Sequence, residues 1–291
     1  MYGWNSVSAC TPENKVLINA FLEQNRADIL MLNECGPIKD KKIIKNKNYK
    51  VLSQGEGAAI VYNEKYTVTQ IFDKLNDKDT VIAKVSLKNS NKSFIVVCAY
   101  LRPNEYHDLL VDSLVFKLLM IKERYKEPRI VCFGDFNETR RTVMKKIMSK
   151  LNKDFTCHFD QMTNGFTRHR TTADGKVEVS YLDYFITYGL NKTELLNHKL
   201  IGKSDHNTLQ LNINNEEVGQ LIIEKELVYS FNGCIRDADK IANEIMYSLS
   251  NENKVEALSK LIEDIRERYR PRIRKRKYNG NIKEHFKNNI I

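Results

Sequence analysis

The stretch RIVCFGDFN, residues 129–137, decides the fold class. Its apolar run, Ile130 to Phe133, predicts a β-strand that is buried on both faces. Asp135 and Asn137 follow directly where this strand ends. A buried strand of this kind brings a carboxylate and an amide to one edge of a sheet.

Other segments place polar side chains at strand ends in the same way. In chain order, these side chains are Asn5, Glu34, Tyr100, Asp183 and the triplet Ser204-Asp205-His206. Asp183 lies within a predicted strand of residues 180–187, and the triplet opens the last predicted strand, residues 207–213. Because strand ends in a packed sheet converge on one edge, we expect these groups to line one cleft.

Helices are predicted between these strands. Thr11-Pro12-Glu13 is a helix start, with Thr as the N-cap and Pro at the first helical position. The apolar spacing of residues 106–125 predicts a long amphipathic helix, and residues 140–151 predict a basic one. The first 216 residues therefore mix strands and helices.

The residue types at the strand ends suit the hydrolysis of a phosphodiester. A carboxylate such as Glu34 can bind Mg²⁺, and a second, such as Asp135, can orient and deprotonate water. A histidine such as His206 can bind phosphate or donate a proton, and a buried Asp commonly fixes its tautomer. Amide and phenol groups can donate to phosphate oxygens, and the set supplies Asn5, Asn137 and Tyr100.

Each position taken singly also has a plainer interpretation. Gly-Asp-x-Asn is frequent in turns, and Glu34 fits a solvated strand end. Asp205-His206 fits a helix cap or a surface pair. Asp183 is harder to explain in this way, because a carboxylate inside an apolar strand needs a partner. The prediction of a site depends on the joint occurrence of these residues.

The order of the motifs resembles that of the endonuclease/exonuclease/phosphatase superfamily over residues 1–213. The most specific motifs are the Gly-Asp-Phe-Asn of residues 134–137 and the Leu-Asp-Tyr of residues 182–184 followed by Ser-Asp-His. Together with Tyr-x-x-Pro-Asn at residues 100–104, they most resemble the endonuclease domains of non-LTR retrotransposon polyproteins.

This resemblance implies an α+β fold for residues 1–216, a four-layer α/β/β/α sandwich with two mixed β-sheets. It also implies a divalent metal, Mg²⁺ with Mn²⁺ as an alternative, held by Glu34 with Asn5 and Asp205 nearby. No other cofactor is expected.

The resemblance assigns the catalytic roles as well. Asp135 would activate water. Asn137 and Tyr100 would bind the scissile phosphate. His206, oriented by Asp183, would stabilise that phosphate. The sequence departs from the family at Val7, where a polar residue is frequent, and at Arg168, where many relatives carry an aromatic residue.

Residues 217–291 differ in character and predict a mostly helical, basic extension or linker. The chain carries a net charge of +10, which favours polyanionic partners through counterion release, although a lysine-rich surface explains it equally well. The dense basic run at residues 266–277 fits a phosphate-rich partner, a nuclear-localisation signal or a charged tail. The residues assigned to nucleic-acid binding are Arg102, Asn104, Arg168, Arg270, Arg272, Arg274, Lys275, Arg276 and Lys277.

The cysteine pattern and the apolar segments indicate where in the cell the protein is expected. The six cysteines form no C-x-x-C pair, and free thiols fit a reducing environment. No signal peptide and no apolar run of ~20 residues is visible, so no membrane partner is expected. We expect an intracellular and nuclear protein.

The function predicted from these features is Mg²⁺-dependent nicking of target DNA for a retrotransposon, with RNA as a second partner of the basic extension. Three alternatives stay open: an abasic-site DNA repair endonuclease, a phosphatase of inositol phosphates or lipids, and a catalytically inactive nucleic-acid-binding relic.

Overall fold

The described residues before position 214 form fifteen strands in the computed structural model of the protein. In chain order they are β1 (Tyr2–Asn5), β2 (Ile29–Asn33), β3 (Tyr49–Ser53), β4 (Ala58–Asn63), β5 (Tyr66–Gln70), β6 (Thr80–Leu87), β7 (Ser93–Tyr100), β8 (Tyr125–Lys126), β9 (Ile130–Asp135), β10 (Phe155–Cys157), β11 (Arg168–Thr171), β12 (Val177–Ser180), β13 (Asp183–Tyr188), β14 (Thr193–Leu200) and β15 (Asn207–Ile213). The helices are α1 (Pro12–Asn25), a 3₁₀ turn (Asp73–Leu75), α2 (His107–Arg124) and α3 (Thr142–Lys150).

The structure describes most of the chain before residue 219. The described residues are 1–6, 9–36, 43–53, 55–103, 107–137, 142–151, 153–158, 166–200, 204–214, 218, 222–223, 225–228, 244, 260 and 272–275. By contacts the chain divides into two units, one of residues 1–122 with 126–222, the other of residues 123–125 with 223–291. The domain boundary near residue 216 stays a prediction.

The first unit contains two mixed six-stranded sheets. Their strand orders are β14-β15-β1-β2-β4-β3 and β10-β13-β9-β7-β6-β5. β1 and β2 run parallel in the first sheet, as do β7 and β9 in the second, and the other neighbours are antiparallel. β11 and β12 form a separate two-stranded arm. The two mixed sheets confirm the predicted α+β sandwich.

Apolar side chains from both sheets form the central core. Met31 of β2 and Leu209 of β15 share one buried cluster with Val96 of β7 and Phe133 of β9. A second cluster lies on the other face of the first sheet, where Trp4 packs with side chains of α1. The alternation of side chains along β1 explains this arrangement, since neighbouring residues point to opposite faces.

Local sequence signals set the ends of α1. The Thr11 hydroxyl accepts a hydrogen bond from the Asn14 amide at 3.3 Å, and Pro12 opens the helix, as predicted. Arg26 ends it in a left-handed conformation at φ 47°. Among the described helices, none has the length and apolar character needed to cross a membrane.

The second unit is described only in part. β17 (Lys225–Val228) pairs antiparallel with β18 (Arg272–Lys275), and a short strand, β16 (Ile222–Ile223), precedes them. Residues 244 and 260 are helical. The rest of the predicted helical extension lies outside the described residues, as do Arg270, Arg276 and Lys277.

Gly3 of β1 lies against the second sheet. A β-carbon at this position would collide with the Phe133 ring of the opposite sheet. We therefore expect Gly3→Ala to lower the free energy of unfolding by about 1–3 kcal/mol, as overpacking does in other cores. Urea denaturation measures this change. An unchanged midpoint for Gly3→Ala would show that the sheets can separate without cost.

Candidate active site

Asn5 connects the two sheets at one edge of the sandwich. From the end of β1, its side-chain amide donates to Glu34 Oε2 at 3.2 Å and to Asp135 Oδ2 at 2.5 Å. Asn5 and Asp135 are both buried, and Glu34 is half-buried. One amide therefore holds two carboxylates that come from different sheets.

Glu34 occupies an uncommon backbone conformation directly after β2. Its φ is 51°, a left-handed value that costs energy for a residue other than glycine. Its backbone N–H donates to the Gly57 carbonyl at 2.7 Å, which fixes this conformation. The strained backbone turns the Glu34 side chain toward Asn5.

Asp135 is held by hydrogen bonds and lies beside a second acid. The Asn137 backbone N–H donates to Asp135 Oδ1 at 2.9 Å. Asp183, at the start of β13, pairs with Asp135 across the strand ladder. Burial and the Asp183 charge raise the pKa of Asp135 to about 7, even though His206 and the hydrogen bonds oppose that rise. A carboxyl with this pKa can exchange a proton near neutral pH.

His206 and Asp183 form a buried pair. His206 Nδ1 lies 2.7 Å from Asp183 Oδ2, and the Asp183 side chain is fully buried. Burial lowers the pKa of His206, but the carboxylates of Asp183, Asp135 and Asp205 outweigh it and raise that pKa to about 9. Because Nδ1 donates to Asp183, Nε2 is the nitrogen left to carry a positive N–H toward a substrate.

Two hydroxyl groups support this pair. Thr167 Oγ1 accepts hydrogen bonds from the backbone N–H groups of Leu182 and Asp183, at 2.8 and 3.1 Å. Ser204 Oγ accepts from the His206 amide at 3.1 Å and donates to the Asn5 carbonyl at 2.7 Å. Thr167 is fully buried. No pattern in the sequence predicts that its hydroxyl supports Asp183.

Tyr100 and Asn137 lie on the other side of Asp135. Tyr100 ends β7 opposite Asp135, and burial followed by the charges of Glu34 and Asp135 raises the pKa of Tyr100 to about 12. The phenol is therefore a hydrogen-bond donor at neutral pH. Asn137 has a φ of 48°, and its side-chain amide donates to the Leu101 carbonyl at 3.0 Å.

The donor atoms at this edge fit a hard divalent cation. Two carboxylates held by one amide repel each other unless a proton or a cation compensates, and oxygen ligands suit Mg²⁺. Within the described residues, the acid and imidazole groups within 4.8 Å of one another are Asp135, Asp183 and His206. Mg²⁺ prefers carboxylate and amide oxygens to an imidazole nitrogen, and His206 Nδ1 already bonds to Asp183, so we infer that a metal binds on the Glu34 side of the site.

The predicted nucleic-acid contacts are distributed differently. Arg168 Nε pairs with Asp205 Oδ2 at 2.7 Å, next to His206, and both side chains are partly exposed. Arg102 pairs with Asp79, outside the cluster of Asn5, Glu34, Asp135, Asp183 and His206. Arg272, Arg274 and Lys275 belong to the second unit, and Asn104 lies outside the described residues. The assigned roles of all these residues stay predictions.

The His206–Asp183 pair predicts an unusual titration. In the metal-free protein, the NMR signal of His206 should report a protonated ring until the pH rises through about 9, above the usual 6.5. The contribution of this charge to the free energy of unfolding is fully present below pH 6.5, and it is lost as the pH rises through about 9.

Asp183→Asn removes a carboxylate that holds this proton, so the midpoint should fall. His206→Gln assigns the signal by its disappearance. A midpoint of about 6.5 in the unsubstituted protein would contradict the charged pair.

Comparison with known proteins finds likeness in structure only. No protein-family model matches the chain, and no curated protein sequence does. The endonuclease domain of TRAS1, a telomere-specific non-LTR retrotransposon, aligns with a TM-score of 0.57 and 15% identity, over 73% of this chain and 97% of that one. The AP endonuclease LMAP from Leishmania major aligns with a TM-score of 0.58 and 13% identity, over 72% and 86%.

A third solved structure, D. rerio TDP2 complexed with single-strand DNA product, gives a TM-score of 0.55 and 14% identity, over 73% of this chain and 97% of that one. Identities this low show the fold, and these three proteins share the superfamily that the motif order resembles. The chain therefore has the endonuclease/exonuclease/phosphatase fold.

Proposed function

We propose that this chain is a metal-dependent phosphodiesterase that nicks DNA, of the kind that serves a non-LTR retrotransposon. The observation that carries the proposal is the cluster in which Asn5 joins Glu34 to Asp135 while His206 pairs with Asp183. Its acid, base and oxygen ligands match the needs of phosphodiester hydrolysis.

The residues divide the work by their chemistry. Asp135, with its raised pKa, takes a proton from the attacking water. The Asn5 side chain and the Asn137 backbone N–H orient the Asp135 carboxylate by hydrogen bonds. The protonated His206 and the Tyr100 phenol donate to phosphate oxygens as negative charge develops there. Glu34, with Asn5 and Asp205, would hold Mg²⁺ or Mn²⁺, which when bound offsets charge on the phosphate.

DNA is the proposed substrate for two reasons. The structures that share the fold include a retrotransposon endonuclease and a protein solved with a DNA product. The net charge of +10 favours a polyanion. A DNA-nicking role in a retrotransposon also implies a nuclear site of action, with residues 217–291 as a basic extension that contacts DNA or RNA.

Incubation with a supercoiled plasmid tests the proposal. Mg²⁺ should produce open circles, and EDTA should abolish them. Ca²⁺ and Mn²⁺ in place of Mg²⁺ test the metal preference. Hydrolysis of soluble phosphomonoesters without nicking would favour a phosphatase instead. DNA binding with no Mg²⁺-dependent product would favour an inactive module.

Abasic-site repair is the second candidate, and the likeness to the AP endonuclease LMAP favours it. An abasic duplex and an intact duplex of the same sequence separate the two functions. Cutting of the abasic duplex at least 100-fold faster would replace target nicking as the proposed role, since such a ratio exceeds ordinary sequence preference.

The basic residues of β18 should contribute to DNA binding through charge. Replacing Arg272, Arg274 and Lys275 with Gln is expected to weaken binding and to reduce the salt-dependence slope by up to about 2.7, or about 0.9 for each phosphate that is no longer neutralised. Replacement of Lys47, Lys50 and Lys88, which are exposed lysines of the first unit, is the matched control. An equal effect in both variants would mean that only net charge matters.

A further inference from the structure

The turn of residues 76–80, which leads into β6, is connected by hydrogen bonds to the edge of the sandwich that carries the candidate active site. The Asp79 carbonyl accepts a hydrogen bond from the Tyr100 amide at 2.8 Å. The neighbouring Lys78 carbonyl accepts from the Gly57 amide at 2.7 Å, and Gly57 in turn holds Glu34 through its own carbonyl. Main-chain bonds therefore connect this turn to two of the candidate site residues.

The Asp79 side chain adds a connection of its own. Its carboxylate binds Arg102 in a bidentate manner, with Nε to Oδ2 and a terminal nitrogen to Oδ1 both at 2.8 Å. Asp79 is buried, and its pair with Arg102 is only partly exposed. Such a fork fixes the plane and position of a guanidinium, which a single contact does not.

The orientation of Arg102 matters because of what it faces. The guanidinium carbon lies 5.6 Å from the centre of the Tyr100 ring, within the range of a cation–π interaction. Tyr100 is near Glu34 and Asp135, whose charges act on its phenol, and it shares a hydrogen bond with Asn137. Arg102 therefore packs against a ring whose hydroxyl belongs to the site.

We propose that Asp79 is a positioning residue that orients the Tyr100 phenol through Arg102. Nucleic-acid binding by Arg102 stays a prediction from the sequence, and the guanidinium that Asp79 holds has the further role of orienting the Tyr100 ring. The consequence for catalysis rests on the proposed function, in which Tyr100 donates to the scissile phosphate.

The same turn offers a matched control. Asp77 Oδ2 lies 2.6 Å from Nζ of the buried Lys117, and Asp77 Oδ1 accepts the Asp79 amide at 2.9 Å. Asp77→Asn can keep its single oxygen on the Asp79 amide, which maintains the turn, and it loses the charge and the contact to Lys117, whose Nζ still donates to the Thr80 hydroxyl at 3.1 Å. It reports on the stability of the turn without touching Arg102.

A double-mutant cycle tests the proposal in the full chain. Asp79→Asn is expected to lower kcat for plasmid nicking roughly tenfold, within the range of coupled contacts. The substitution keeps the backbone hydrogen bonds that connect this turn to Tyr100 and, through Gly57, to Glu34. The Mg²⁺ concentration that gives the half-maximal rate should therefore not change. Arg102→Lys should give the same reduction, because an ammonium cannot form the fork. Asp77→Asn should keep the wild-type kcat.

Coupling to Tyr100 decides the outcome. Adding Asp79→Asn to Tyr100→Phe should cause little further reduction in kcat, since the group that Asp79 positions is already absent. Fully additive effects, or an equal reduction in Asp77→Asn, would overturn the proposal and leave Asp79 a structural residue.

A second measurement does not depend on nicking. With 3-fluorotyrosine incorporated, the ¹⁹F signal of Tyr100 is identified by its absence in Tyr100→Phe. Asp79→Asn and Arg102→Lys should both shift this signal, and Asp77→Asn should not. If the wild-type chain cuts no DNA but these shifts occur, the proposed function fails while the positioning role stands. An unmoved signal rejects the positioning role whatever the activity.

Discussion

Asp135→Asn is expected to reduce the rate of plasmid nicking by about 10³- to 10⁴-fold, the upper range for loss of a general base. The amide has nearly the shape of the carboxylate but cannot accept a proton from water. Initial rates under saturating Mg²⁺ measure the effect. Asp154→Asn, at an exposed surface pair with Lys122, is the matched control and should keep the full rate.

The same variant should change the pH dependence of stability. The folded-state pKa of Asp135 is raised to about 7, so its ionisation opposes folding, and its contribution to stability falls as the pH rises from the usual 3.8 through about 7. We therefore expect the urea midpoint of Asp135→Asn to fall less than that of the wild type between pH 5 and pH 8. A reduction in nicking of less than tenfold would show that another group activates the water.

His206→Ala is the second large effect, with an expected reduction of about 10³-fold in the nicking rate. The substitution removes the positive N–H that faces the phosphate and leaves Asp183 buried without its partner. His198→Gln is the control, because His198 lies on β14 and contacts Gln210.

Asp183→Asn should be nearly as harmful, because Asp183 acts by holding the charged form of His206. The double variant should be little worse than His206→Ala, since residues that act as a unit lose activity together. Independent, multiplying effects would mean that Asp183 has a separate role, and an active His206→Ala would remove the histidine from the site.

The strands of the core could be predicted because their sequences are apolar throughout. Residues 94–100 and 130–133 fall within β7 and β9, which are buried between sheet neighbours on both sides. The sequence does not predict β14, because its alternation of Thr, Glu, Asn, His and Lys with Leu is weak and it lies at a sheet edge. Leu195 is buried whereas its neighbour Leu196 is exposed, so two adjacent leucines on opposite faces interrupt the apolar/polar alternation that predicts a strand.

The strand predicted over residues 180–187 is present as β13 but begins later, at Asp183. Ser180 ends a separate strand, β12, and Tyr181 and Leu182 lie between the two strands. Thr167 Oγ1 accepts hydrogen bonds from the backbone N–H groups of Leu182 and Asp183, at the point where the chain passes from β12 to β13. A hydroxyl fifteen residues away cannot be inferred from the local pattern.

The polar side chains that meet at the candidate site could be predicted from the sequence, and the residues that support them could not. Asn5, Glu34, Asp135 and His206 stand at strand ends, where the sequence changes sharply from apolar to polar. Asp79 and Thr167 act through contacts to distant backbone and to Arg102. Such contacts depend on the tertiary fold, so composition and spacing do not reveal them.

The position of β1 in its sheet has a consequence for synthesis on the ribosome. Among the described strands β1 comes first along the sequence, and it lies between β2 and β15, where Tyr2 pairs with Gln210. One side of β1 therefore has no strand partner until some 200 further residues have been translated, and contacts of such long range make folding slow. Until β15 is made, the nascent chain carries an open strand edge, which is prone to aggregation and which chaperones can protect.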